Sequence, residues 1–145
     1  MKAVFDTNVL IAACVAEGLC ARLLGRARKG HFDLLLCLCI IVEFQQVLRR
    51  KFKAGEDELA QAVALLTEAS LEIIAPALEV NGICRDADDD RLLACAKGAG
   101  ADYLVTGDDD LLVLRKYDGI MIISPEFSSC FLATDRLGNL CRCRA

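Results

Sequence analysis

Acidic side chains fall at four separated places in the chain, each where an apolar run ends or a helix begins. They are Asp6 in Ala3-Val4-Phe5-Asp6-Thr7-Asn8, Glu43 after the apolar run Leu34 to Val42, the group Asp86 to Asp90, and Asp108 to Asp110. Carboxylates gathered from distant parts of a chain repel one another unless a positive charge sits between them. A divalent cation is the usual partner, and Mg²⁺ favours a few carboxylates completed by waters and phosphate oxygens. The pattern therefore points to metal-assisted hydrolysis of a phosphodiester.

Each cluster also has a plainer reading. Asp6 suits a helix N-cap. Glu43, inside Ile40-Ile41-Val42-Glu43-Phe44, faces either solvent or a site, because burying it unpaired would cost several kcal/mol. The group Asp86-Ala87-Asp88-Asp89-Asp90 could support a helix start, where each acid contributes about 0.3–1 kcal/mol. Four acids in five residues exceed that need, since they repel each other. A calcium loop is excluded, because its sixth and twelfth positions require Gly and Glu and are here Arg91 and Lys97. Asp108 to Asp110 could be a solvated turn, and Asp109 reads as one. Taken jointly, the four places favour one shared site over four separate caps.

The elements that must carry these groups alternate. Strands are predicted at Ala3–Phe5, Asp33–Cys37, Leu71–Ile74, Tyr103–Thr106 and Ile120–Ile123. Helices are predicted over Thr7–Ala16, Leu19–Lys29, from about Ile40 to Lys53, Glu56–Ala69, Asp88–Ala99, and from Pro125 behind a Ser124 cap. Pro76 should end the third strand, and periodicity is lost after Leu132. Alternation of this kind gives an α/β fold with a central, mostly parallel sheet flanked by helices. Residues 1–133 form one domain, and 134–145 a Cys- and Arg-rich tail expected to be loose.

With 145 residues, 55% of them hydrophobic, the chain can bury a sizeable core. Its longest apolar run, Leu34 to Val42, is nine residues and too short to span a bilayer. No signal peptide is read at the N-terminus, so the expectation is a cytoplasmic protein without membrane contact. Nine cysteines then read as reduced packing residues rather than a disulfide framework. The Cys37/Cys39 and Cys141/Cys143 pairs have the wrong spacing for zinc, and His31 is the sole histidine. Charge is uneven. Residues 1–53 carry nine Lys/Arg against four Asp/Glu, 54–110 three against fourteen, and 111–145 five against three, within a net −4.

In order and spacing, these segments resemble a PIN domain, the fold of metal-dependent ribonucleases found in many prokaryotic toxin–antitoxin toxins. The resemblance rests on Val4-Phe5-Asp6-Thr7-Asn8-Val9-Leu10, on Glu43 with Phe44 to Leu48, on Asp90-Arg91-Leu92-Leu93-Ala94-Cys95-Ala96, on Ala101-Asp102-Tyr103-Leu104-Val105-Thr106-Gly107-Asp108, and on Ile123-Ser124-Pro125-Glu126-Phe127. It covers about Lys2 to Leu132 and implies a three-layer sandwich. It assigns Asp6, Glu43, Asp90 and Asp108 to a catalytic site for one or two Mg²⁺ or Mn²⁺ ions, with Asp6 central. Asn8 and Thr106 would orient carboxylates, with Asp110 and Asp86 as auxiliary acids. The resemblance also implies an RNA substrate, single-stranded or looped, a small antitoxin partner and a homodimer. Arg22, Arg26, Arg49 and Arg50 are candidates for steering phosphates. One departure is Cys37, which stands where Ser or Thr would cap the Glu43 helix.

Two kinds of rival remain. A phosphatase of the haloacid dehalogenase type would need an Asp two positions after Asp6, where this chain has Asn8. A receiver-type phosphoacceptor would need a Lys after its fifth strand, and none is convincingly placed. A binding module of the same fold that has lost catalysis would show missing acids, and all four expected acids are present. Metal binding and RNA cleavage separate these readings.

Overall fold

A computed structural model describes residues 1–75 and 82–131, with side chains to Ser128. Pro76, Cys130's side chain, and the tail with Cys141 and Cys143 lie outside the described residues.

The apolar segment Lys2–Phe5 forms β1, and Asp6 ends it by capping α1 (Thr7–Val15). After α2 (Leu19–Arg28) comes β2 (Asp33–Cys37), which passes directly into the long α3 (Leu38–Phe52). Cys37 occupies the N-cap of α3 and makes no side-chain cap bond. The last turn of α3 carries Arg49, Arg50 and Lys51, where cations complement the helix dipole. The acidic first turn Glu56-Asp57-Glu58 opens α4 (Glu56–Ala69), which leads to β3 (Ser70–Ile74). Then follow α5 (Ala87–Gly98), β4 (Tyr103–Val105), the single turn α6 (Asp109–Leu112), β5 (Lys116–Tyr117), β6 (Ile120–Ile123) and α7 (Pro125–Phe131).

The six strands form one sheet in the order β3-β2-β1-β4-β6-β5. All neighbours are parallel except β5 and β6, which are antiparallel. The α/β class with a mostly parallel sheet is the one expected. The β5–β6 hairpin and α6 are additions that the sequence reading did not include. Asp118 and Gly119 join β5 to β6 with φ of 48° and 85°, the left-handed pair that a tight two-residue hairpin turn demands.

β1 and β2 are buried on both faces from Ala3 to Phe5 and from Leu34 to Cys37, as a sheet between helical layers requires. Phe5, Phe44, Leu10, Leu23, Leu34, Leu35, Leu36, Leu66, Leu93, Leu104 and Leu111 are fully buried and form the centre of one continuous core. Among the described residues no single helix is long and apolar enough to cross a membrane.

The cysteine reading needs correcting. Cys37 and Cys95 are joined as a disulfide, with Cα atoms 6.1 Å apart. The end of β2 and the middle of α5 are 58 residues apart in the chain but adjacent in the fold, which composition does not reveal. Cys14, Cys20, Cys39 and Cys84 are free and half-buried.

Candidate active site

The chain order makes the site's position intelligible. From β1 the chain builds outward through β2 to β3, then returns to the opposite side of β1 with β4. Neighbouring strands whose connections leave in opposite directions open a crevice at their C-terminal ends. Asp6 follows β1 at that crevice, and Asp108 follows β4. The two ends are tied directly, since the Asp6 amide donates to the Val105 carbonyl at 2.9 Å. An open cleft of about 460 Å³ lies there, lined by Asp6, Asn8, Glu43, Asp86, Asp88, Asp89 and Asp108 among others.

Capping and site-building turn out to be one arrangement. Asp6 Oδ1 accepts from the Thr7 amide at 2.6 Å, the N-cap bond of α1, while Oδ2 accepts from the Thr106 hydroxyl at 2.7 Å. Thr106 Oγ1 in turn accepts from the Asp108 amide at 3.0 Å. Asp108 caps α6 through the Asp110 amide, and Asp86 caps α5 through the Asp88 amide. Thr7, 2% exposed, donates its hydroxyl to Glu43 Oε2 at 2.8 Å across 36 residues of sequence. Two buried threonines thus hold two carboxylates in the cleft.

Of the residues expected from sequence, Asp6, Glu43 and Asp108 line the cleft, as do Asn8 and Asp86, and Thr106 lies behind it. Asp90 does not line it. It is 5% exposed, and its two oxygens accept from the Gly82 amide at 2.9 Å and the Cys84 amide at 2.8 Å. That bonding fastens the segment entering α5 to the helix itself. Asp89 is on the cleft wall instead. One residue along a helix turns the side chain by about 100°, which is enough to exchange a cleft-facing position for a buried one.

The fields in the cleft identify the acids that share it. Asp89's carboxyl is pushed up to about 6, first by burial and then by the charges of Asp108, Asp6, Asp86 and Asp110. Asp6 is also raised, chiefly by burial, with a contribution from Asp108, while the bonds from Thr106 and Thr7 pull the other way. Asp110 therefore acts on the cluster through its charge, although it does not line the cleft.

The basic residues are placed differently from the sequence reading. Among the described residues, Arg22, Arg26, Arg49 and Arg50 are not on the cleft wall, and Arg49 pairs with Glu56 at 3.2 Å on the helix surface. Among the described residues, the cation on the cleft wall is Arg91, paired with Asp88 at 3.1 Å and largely exposed. It follows Asp89 and Asp90 in sequence, and its position next to the acidic run was the available signal. Thr7 was hidden in a different way. Its partner Glu43 is distant in the chain, and a buried threonine reads as packing until the fold is known.

Among the described residues, no three His, Cys, Asp or Glu side chains already stand as a metal-binding set. The donor chemistry nonetheless fits a hard divalent cation. The converging acids offer carboxylate oxygens, and burial together with their mutual repulsion raises Asp89 to about 6. A family model described as a PIN domain matches residues 2–110, a span holding every acid of the cleft. No curated protein matches the chain at a significant level.

Proposed function

The chain belongs to the PIN domain family, whose members are in general nucleases, and we propose that it is a metal-dependent endoribonuclease whose centre is the cleft between β1 and β4. In this reading Asp6, Glu43, Asp89 and Asp108 hold one or two Mg²⁺ or Mn²⁺ ions, with Asp86 and Asp110 adding negative charge. Asp89 takes the place that the sequence comparison of motifs had given to Asp90. The observation that carries the reading is the convergence of acids from β1, α3, α5 and β4 on one open cleft, where their charges oppose one another. When bound, the cation would lower the pKa of a coordinated water and neutralise charge on the phosphate.

The chain's own groups have separate tasks. Thr7 holds Glu43 through Oε2, and Thr106 holds Asp6 through Oδ2, so both carboxylates are oriented before substrate arrives. Arg91 can leave Asp88 for a substrate phosphate, since an exposed ion pair contributes only about 0–1 kcal/mol. The cleft is open, so an extended single strand or loop fits it better than a closed small-molecule pocket would. In the family context the partner is a small antitoxin, in which a basic segment could occupy the acidic cleft, and the protein acts as a cytoplasmic homodimer.

The test is cleavage of labelled single-stranded RNA in Mg²⁺ or Mn²⁺, with EDTA and Asp6→Asn as controls. Cutting that needs the metal and falls at least about 100-fold in the variant is expected, the loss typical of an essential catalytic group. Folded, metal-loaded protein that cuts no RNA would turn the reading toward a binding module.

A further inference from the structure

Three sulfurs meet where the two walls of the cleft come together. Cys37 closes β2 immediately before α3, and Cys95 sits in the middle of α5; both are fully buried and joined to each other. Cys39, in the first turn of α3, is free and lines the cleft. Its thiol lies 3.7 Å from Cys95 Sγ and can donate only toward it, because Cys95 carries no proton in the disulfide. Cys39 and Glu43 are one helical turn apart, on the same face of α3. The sulfur cluster therefore lies beside the acids but includes none of them.

We propose that Cys37, Cys39 and Cys95 form a thiol–disulfide exchange site, in which Cys39 can displace Cys37 from Cys95 and change how α3 is tied to α5. In the exchange, the Cys39 thiolate donates an electron pair to Cys95 Sγ and forms the new S–S bond. The Cys37–Cys95 bond breaks with its pair on Cys37, which takes up the proton that Cys39 released. No oxidant is consumed. The sulfurs must close from 3.7 Å to the usual bond length of about 2.05 Å, a shift within reach of a side-chain rotation and a small movement of the first turn of α3.

The position of Cys39 also sets the route of reduction. Cys37 and Cys95 are sealed from solvent, whereas Cys39 opens on the cleft, so a small dithiol meets the cluster from the cleft side. Reduction of the disulfide by such a dithiol, with two electrons and two protons passing to the protein and the dithiol closing into its own disulfide, leaves three thiols. The covalent link between the walls bearing Glu43 and Asp89 is then lost. If the cleft holds a cation, as proposed above, Mn²⁺ affinity falls in the reduced protein by about 10-fold, as when a support of a metal ligand is removed.

The test uses the full chain. Cys37→Ser and Cys37→Ala are each incubated with a small-molecule disulfide, quenched with acid, digested and mapped by mass spectrometry. A peptide linked Cys39–Cys95 is expected in both variants. In the unaltered chain, fragment ions should show Cys37–Cys95 together with a minor Cys39–Cys95 form, and Cys39→Ser should retain Cys37–Cys95 alone. Recovery of Cys39 and Cys95 only as free thiols or as adducts of the small molecule in both variants, with Cys37–Cys95 as the sole linkage in the unaltered chain, would overturn the proposal. The mapping does not depend on metal or RNA. Protein that exchanges its disulfide yet binds no Mn²⁺ in either redox state would refute the nuclease reading and leave the exchange site standing.

Discussion

Two adjacent aspartates, Asp89 and Asp90, have opposite roles, and substitution can separate them. Asp89 is on the cleft wall among like charges, whereas Asp90 is buried and accepts two backbone bonds. Asp89→Asn should therefore lose metal binding and cleavage while its Tm holds or rises, because a repelled charge has gone. Asp90→Asn should retain the cleft acids but lose about 1–3 kcal/mol of stability, as one oxygen that served as acceptor becomes a donor facing an amide. Thermal melts beside Mn²⁺ titrations read both, and the reverse pattern would restore Asp90 to the site. The raised carboxyls also set a pH dependence. Asp6 and Asp89 have folded-state pKa values above those of the unfolded chain, Asp89 at about 6. For both, the contribution to stability is full below the ordinary carboxylate range near 4 and is lost as pH rises through the raised value, which for Asp89 is about 6. The Tm advantage of Asp89→Asn over the unaltered metal-free protein should thus widen from pH 4.5 to pH 7. A constant difference across that range would mean that burial and the neighbouring charges do not raise the Asp89 carboxyl.

Helix starts do two jobs in this fold. The beginnings of α1, α5 and α6 are capped by Asp6, Asp86 and Asp108, and those same residues line the cleft. Their cap bonds use one carboxylate oxygen each, so the second remains for other work. α3 differs, since Cys37 supplies no cap bond and is bonded to α5 instead. A link across 58 residues restricts the unfolded chain by about 4 kcal/mol on the loop-closure estimate. Reduction of the intact protein should lower its stability by an amount of this order in denaturant titrations. An unchanged midpoint would mean that the bond contributes nothing to the fold. The sequence showed the elements that position Asp6, Glu43 and Asp89, including the β2-to-α3 run and the Asp-led start of α5, but not the short α6 that Asp108 caps. It also contained a signal for β5 and its pairing with the expected strand Ile120–Ile123 in Asp118-Gly119, a strong hairpin dipeptide, although β5 itself is only two residues long.

At the scale of the whole molecule, charge opposes the proposed substrate. Residues 54–110 carry three Lys/Arg against fourteen Asp/Glu, and the chain is net −4. RNA binding should then depend mainly on divalent cation and only weakly on monovalent salt. Removing the cleft cation with Arg91→Ala should flatten the slope of log affinity against log salt by about 0.7, one single-strand phosphate contact. An unchanged slope would place Arg91 outside the binding path. The sequence by itself determined the alternating α/β order, the parallel sheet and the four acidic places, because hydrophobic periodicity and strand-end chemistry are local and survive in one dimension. Which acid of Asp86 to Asp90 faces the cleft depended on the rotation of α5, and a difference of one residue is a difference of about 100°. The Thr7–Glu43 bond, the Cys37–Cys95 link and the placing of Arg22 and Arg49 off the cleft wall were likewise decided only in the folded chain. They join residues tens of positions apart, and no local pattern specifies which distant neighbour a buried hydroxyl or thiol will meet.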